Sequence, residues 1–276
     1  MEYFRFYFKL IKTIGSLFIL NLASFSAAQA DQLADIQRAG VVRVATFDTN
    51  PPFSSIDAKS HRVVGYDVDF ARSIADALGV KLTLILTNPA NRIPLLQSGK
   101  VDLIIADITI TPERAKVINF SRPYFVTGQQ FLVPATSSDD LNEYASARIG
   151  AVKGTTGEQT VHHRFPKARI LAYDDIPLAL SALRNGNVKA ITQDGTILSG
   201  LLASSPDKSN FKILPELLSK EQIGIGVKKG ENTLLHAINQ KQIALEHSGE
   251  AERIYNKWFG SQFLISQPRS FSMIYR

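Results

Sequence analysis

From residue 41 to residue 203 the chain alternates short apolar runs with stretches of helical period, and it does so in two separate series. Such alternation restricts the fold to the α/β class, in which mostly parallel strands are joined by crossover helices. In the first series, residues 41–45 read as a strand. Residues 66–78 place Phe70, Ala71, Ile74, Ala75 and Leu78 on one helical face and stop at Gly79, and residues 82–86 return to a strand. Residues 93–97 form a short helix ended by Gly99, and residues 101–105 read as a buried strand. Thr111-Pro112-Glu113 then supplies a cap, a first-turn proline and an acid near the positive end of a helix dipole.

The second series follows residues 132–134 and the polar stretch 135–140. Strands at 148–152, 170–173 and 188–192 alternate with helices at 156–165, 176–183 and 196–203. Residues 224–227 are extended, and helices at 232–247 and 250–258 come last. Two crossings between the series, around 131–134 and around 223–227, predict two lobes and a hinge. Residues 31–132 with 226–276 would form the first lobe and residues 133–225 the second. Lobes joined by two extended strands can enclose a ligand by rotating about them.

The first thirty residues stand apart. Arg5, Lys9 and Lys12 precede an apolar run at 14–25, and Ala28-Gln29-Ala30 puts small residues at the two positions a signal peptidase requires. The apolar run falls well short of the ~20 residues that span a bilayer. This order predicts a secretory signal peptide cleaved after Ala30. The chain has no cysteine, which excludes a disulfide framework and lipid attachment through an N-terminal cysteine. Its formal charge of +6 falls to +4 without residues 1–30, and the cations form no run of the kind that grips nucleic acid. Nor is there a glycine-rich phosphate loop ending in Lys-Ser or Lys-Thr.

Several segments carry more than periodicity. Asn50-Pro51-Pro52-Phe53-Ser54, Gly65-Tyr66-Asp67-Val68-Asp69, Leu96-Gln97-Ser98-Gly99-Lys100-Val101-Asp102, Thr109-Ile110-Thr111-Pro112-Glu113-Arg114 and Phe120-Ser121-Arg122-Pro123-Tyr124 occur in that order. Lys153-Gly154-Thr155-Thr156, Ala190-Ile191-Thr192-Gln193-Asp194 and Lys257-Trp258-Phe259-Gly260 continue the series. Together they resemble the periplasmic amino-acid-binding proteins of ABC uptake systems, bacterial solute-binding family 3. Within it, Asn91-Arg92-Ile93-Pro94-Leu95-Leu96-Gln97 and Ser248-Gly249-Glu250-Ala251-Glu252 are similar to the glutamate/aspartate-binding subgroup. The resemblance implies a two-lobed periplasmic-binding-protein-like fold of type II and a periplasmic monomer without cofactor or metal. Such a protein hands a small amino acid to the membrane permease of an ABC transporter.

An α-amino acid needs a guanidinium or helix N-terminus for its carboxylate and acceptors for its ammonium. Arg114 is the candidate for the carboxylate, the role the resemblance also gives it, with Thr109 adding a hydroxyl and a backbone N–H. Thr155 and Thr156, between a strand and a helix, would meet the ligand from the second lobe, although one of them could serve only as a helix cap. Asp194 lies at the carboxyl end of its strand, where α/β sheets present ligand groups, or it serves only as a turn residue before Gly195; the resemblance implies that it pairs with the ammonium. Arg92 either faces the cleft, where it would read a side-chain carboxylate, or opens its helix as an exposed cation. The expected ligand is accordingly a polar or acidic amino acid, with glutamate or aspartate favoured.

Three positions depart from that pattern. Asn50 stands where many members stack an aromatic ring, so the apolar wall falls to Phe47 or Phe53. Phe47 also replaces an arginine of the acidic-ligand subgroup. Asp107 replaces a serine, and it is both a candidate ammonium acceptor and a group that would repel a side-chain carboxylate. Two rival functions use the same fold: a cyclohexadienyl dehydratase, which needs a general acid and finds in the second-lobe turn only Glu158, a residue that also suits the first turn of its helix, and a ligand-sensing module. Adjacent His162 and His163 point in different directions on a helix and make a poor metal site. The expectation is a binding protein and not an enzyme.

Overall fold

A computed structural model describes residues 31–260 and 267–274; the expected signal peptide and its cleavage site lie outside the described residues. The first lobe opens with α1 (Gln32–Ala39), capped by the Asp31 side chain, and β1 (Val41–Thr46). A small antiparallel sheet of β2 (Thr49–Asn50), β3 (Ser54–Ile56) and β4 (Val63–Val64) leads into α2 (Tyr66–Leu78). The five α2 residues expected on one face are buried, and Gly79 ends the helix in the left-handed conformation at φ 69°. Then come β5 (Lys81–Leu86), α3 (Arg92–Gln97), β6 (Leu103–Ile104), α4 (Pro112–Val117) and β7 (Ile118–Phe120).

The chain leaves this lobe through β8 (Phe125–Thr127) and enters the second through β9 (Gln129–Pro134). Next follow β10 (Arg148–Val152), α5 (Thr156–Arg164), β11 (Arg169–Tyr173), α6 (Ile176–Arg184), β12 (Ala190–Asp194), α7 (Gly195–Ala203) and β13 (Phe211–Ile213). It returns through β14 (Glu221–Ile223) to β15 (Gly226–Lys228), α8 (Asn232–His247) and α9 (Glu250–Phe259).

Strand order is β5-β1-β6-β15-β7 in the first lobe and β11-β10-β12-β9-β13 in the second. In each, the strands of the βαβ units are parallel, and the strands carried in by the crossings, β15 and β9, run antiparallel to them. The hinge is the antiparallel pair β8 and β14, with Phe125 opposite Ile223 and Thr127 opposite Glu221. Gly128, directly after β8, lies where a Cβ would stand 2.2 Å from the Ser219 carbonyl oxygen, so the two crossing strands approach as closely as they do only because no side chain is there.

The outward crossing differs from the sequence expectation. Residues 131–134 are not the connection but the end of β9 within the second sheet, because Phe131 and Val133 pack with Tyr144, Ile149, Val161 and Phe165 in that lobe's core. Leu132 between them faces the opposite side, as strand alternation requires.

Phe53 is also placed differently from expectation. It is fully buried, with ring centroids 4.8 Å from Phe125, 5.8 Å from Phe259 and 6.0 Å from Tyr66. It therefore serves the core behind the site and is no wall of the cleft; burying a phenyl ring among three others removes more apolar surface from water than lining a polar cavity could. Phe53→Ala is expected to cost about 3–5 kcal/mol in denaturant unfolding. A loss below about 1 kcal/mol would contradict this placement.

Candidate functional site

The two lobes close on a small cavity lined by Phe47, Asn50, Pro89, Arg92, Asp107, Thr109 and Arg114 from the first and Thr155, Thr156, Gln193 and Asp194 from the second. Eight of the nine side chains expected at the site therefore meet at one place, and Phe53 alone is elsewhere.

Arg114 is placed by the short helix α4. The Thr111 side chain caps that helix by accepting the Arg114 backbone N–H, and Pro112 opens it. The guanidinium then turns back under the preceding loop. Its Nη1 donates to the Thr109 carbonyl at 2.8 Å, and its Nη2 donates across the cleft to the Gly154 carbonyl at 3.0 Å. Burial lowers its pKa from the usual value, although Glu221, Asp107 and Asp194 act to hold it up. Gly154 has φ 75°, and a Cβ there would stand 2.8 Å from the Cα of Ala90, so a side chain at this point would wedge the lobes apart.

Arg92 faces inward and is 3 % exposed, which excludes the surface alternative. Three of its N–H groups go to backbone: Nε to the Pro89 carbonyl at 3.1 Å, and Nη1 to the Ala106 and Asp107 carbonyls at 2.8 and 2.9 Å. Its cation lies 5.3 Å from the centroid of the Phe47 ring. Burial and then the neighbouring Arg114 bring its pKa down to about 9. Arg92 thus braces the loop that presents Asp107, and Phe47 is its apolar floor.

Asp107 has a left-handed backbone, φ 44°, rare for a residue with a side chain. Asp67, in the first turn of α2, compensates from behind: its carboxylate accepts the Asp107 N–H at 2.9 Å and the Tyr124 hydroxyl at 2.6 Å. Desolvation keeps the Asp67 carboxyl well above the ordinary range, followed by repulsion from Asp107. This arrangement aims the Asp107 carboxyl at Asp194 across the cleft. Two buried carboxyls on one small cavity resist double ionisation, so the pair retains a proton more readily than either group would in water. Burial pushes Asp107 up to about 6 and Asp194 well above the usual carboxylate range. Oδ1 of Asp107 is buried without a hydrogen-bond partner, an acceptor that a ligand N–H would satisfy.

Asp194 occupies the N-cap position of α7 yet makes no side-chain cap bond. Gln129 Nε2 donates to its Oδ1 at 3.0 Å instead, and its backbone N–H goes to Gln193 Oε1 at 3.1 Å. Freed from capping, the carboxyl points into the cleft. Thr155 is the reverse case: its hydroxyl donates to the Val152 carbonyl at 2.6 Å and caps α5 by accepting the Glu158 N–H. Of the two threonines, only Thr156 turns its hydroxyl to the cleft, where it donates to Glu221 at 2.7 Å. The Thr109 hydroxyl donates to the same oxygen at 2.7 Å and is not directed at a ligand carboxylate as the sequence suggested.

Glu221, Gln129, Gln193 and Asp67 were not anticipated. Gln129 and Gln193 are polar residues at the ends of otherwise apolar strands, a detectable signal. Glu221 sits in Ser219-Lys220-Glu221-Gln222, which reads as an ordinary polar loop.

The chain as a whole is similar to several known proteins in sequence and in fold. The ABC transporter glutamine-binding protein GlnH of Bacillus subtilis is 34% identical over 211 residues, covering 75% of this chain and 76% of that protein. The glutamate/aspartate import solute-binding protein of Escherichia coli is 30% identical over 264 residues, covering 87% of this chain and 86% of that protein. A solved structure of an ancestral arginine-binding protein bound to arginine matches with a TM-score of 0.76 at 36% identity, covering 80% of this chain and 99% of that one. The family profile itself matches residues 42–261. With both lobes, the hinge and the cleft inside that span, the chain belongs to the bacterial extracellular solute-binding proteins, family 3.

Proposed function

We propose that the chain is the periplasmic substrate-binding component of an amino-acid ABC transporter, enclosing one α-amino acid between its lobes and handing it unaltered to a membrane permease. The observation that carries this reading is the convergence of Arg114 with the Asp107–Asp194 pair on a single cavity, since a zwitterion needs a fixed cation and fixed anions a few ångströms apart. Capture without chemistry is supported by Glu158, the candidate general acid of the second-lobe turn, whose carboxylate accepts the Gly154 N–H at 3.2 Å and is thereby turned to the backbone.

For the side chain, charge favours a neutral polar or cationic group over an acidic one. Asp107 and Asp194 line the cavity beside Arg92 and Arg114, and Glu221 lies just beyond it, so a second ligand carboxylate would compete with acidic groups that already face those cations. Arg92, the residue that suggested glutamate or aspartate, has three of its N–H groups on backbone carbonyls.

A thermal-shift series on the protein from Asp31 onward tests both levels, because a ligand that binds only the native state raises its melting temperature. Glutamine, histidine or arginine at a thousand times its dissociation constant should add about 4 kcal/mol, a rise of roughly 8–16 °C for a chain of this size. A shift with glutamate and aspartate alone would overturn the side-chain reading, and turnover of prephenate would overturn capture without chemistry.

A further inference from the structure

Glu221 opens the return hinge strand β14, opposite Thr127 of β8. It is 8 % exposed, and its two oxygens take three hydroxyl protons. Oε2 accepts from Thr109 and from Thr156, each at 2.7 Å, and Oε1 accepts from Ser219, also at 2.7 Å. The donors belong to three parts of the molecule: the first lobe, the first turn of α5 in the second lobe, and the segment leading into the hinge. Hydrogen bonds to a buried carboxylate are the strong kind, and losing one leaves charge uncompensated.

These bonds respond differently to lobe rotation. Thr109 is fastened to the hinge strand by its bridge to Ile223, and the neighbouring Ile110 N–H donates to the Gln222 carbonyl at 2.8 Å. Thr156 rides on α5, which packs on β10 and β12 of the second sheet. Rotation about β8 and β14 therefore carries Thr156 away from Glu221 while Thr109 stays, and Glu221 has its full set of donors only when the cleft is closed. The two hydroxyl oxygens lie 3.3 Å apart, and Thr156 Oγ1 also accepts from Gln129 Nε2 at 3.4 Å, so the cluster around Oε2 is closed on itself. Glu221 itself lies beyond the ligand cavity, among the residues of the larger groove on the far side of Thr109 and Thr156.

We propose that Glu221 is the closure latch of this protein, a positioning residue that ties a hydroxyl of each lobe to the hinge and so sets the fraction of molecules that are closed. Because apparent affinity scales with the fraction in the binding-competent state, the latch changes the affinity for every ligand by the same factor. The inference rests on the reading of the chain as a receptor that encloses its ligand by rotation, but it concerns the closing equilibrium and not the ligand's identity.

The chain has no cysteine, so Lys59→Cys in the first lobe and Lys167→Cys in the second, both exposed positions, give a unique pair of spin-label sites. Glu221→Ala removes the latch, and Glu221→Gln keeps its shape without its charge. Pulsed electron resonance on the ligand-free protein is expected to show the interlobe distances lengthening in both variants, more in the alanine one. Calorimetry with glutamine and with arginine should show affinity reduced by an equal factor for the two, about tenfold in Glu221→Ala. Unchanged distances would sink the proposal, as would unequal losses, which would make Glu221 a ligand contact. Unchanged affinities with only a lowered melting temperature would reduce it to a packing residue. Should the alanine variant not fold, the glutamine variant carries the same test. Failure of both amino acids to bind the parent protein would reject the proposed function, while the ligand-free distances would still decide on the latch.

Discussion

Arg114→Ala is expected to lose amino-acid binding by a factor between about 30 and a few thousand, the range that follows from removing one partner of a buried, hydrogen-bonded charge pair at 2–5 kcal/mol. Two contributions combine. The ligand carboxylate loses its bidentate partner, and the lobes lose the 3.0 Å bond from Nη2 to the Gly154 carbonyl that crosses the cleft. Arg114→Lys keeps the charge without the planar fork and should recover only part of the loss. Isothermal calorimetry measures the effect, and the melting temperature of the ligand-free variant serves as its control. Affinity within threefold of the parent for Arg114→Ala would reject the carboxylate assignment.

The second large effect is on pH dependence, and it has opposite signs for stability and for binding. Asp107, whose ordinary value is 3.8, is held at about 6 by burial, so between these values the native protein binds a proton that the unfolded chain does not. Stability of the ligand-free closed protein should therefore rise as the pH falls from above 6 toward 4, the reverse of the common behaviour of native carboxylates. Binding runs the other way. A ligand ammonium entering between Asp107 and Asp194 displaces the protons the pair holds, so affinity should fall with acidity, and below pH 6 the Asp107 proton adds to the loss, by up to about tenfold per unit for each proton displaced. Arg92 and Arg114 line the cavity beside this pair, while Asp67 from behind and Glu221 from beyond the cavity act on Asp107 through their charge. In Asp107→Asn both trends should shrink together. Thermal melts and calorimetry between pH 4.5 and 8 give the two slopes, and slopes of the same sign would reject a proton held by this pair.

Much of this was legible in the sequence, and the part that was not has a common cause. Local signals found their elements: the apolar face and terminal glycine of α2, the Thr111-Pro112 start of α4, and the strand that delivers Asp194. The position of Arg114 followed from a local motif too. Orientation was harder wherever it depends on distant chain. Whether Arg92 turns in or out is decided by carbonyls at 106 and 107, and whether Phe53 lines the cleft or fills the core is decided by Tyr66, Phe125 and Phe259. The threonine pair shows the same limit at the scale of one hydroxyl: adjacent residues of one type divide into a helix cap and a cleft group. Glu221 was invisible for this reason, since two of its three donors lie 112 and 65 residues away.

The place of β15 in the first sheet bears on the order in which the chain can assemble. It lies between β6 and β7, pairing Gly226 with both Ile104 and Phe120. Every strand of the second lobe lies within residues 129–213, and its sheet needs nothing synthesised later. The first lobe, although it begins earlier, keeps a gap in the middle of its sheet until residues 226–228 arrive, and bridging more than a hundred residues carries a larger closure entropy than any pairing within the second lobe. A chain emerging from its N-terminus thus completes its second lobe before its first, and the half that carries Arg114, Arg92 and Asp107 is the last to become a binding surface.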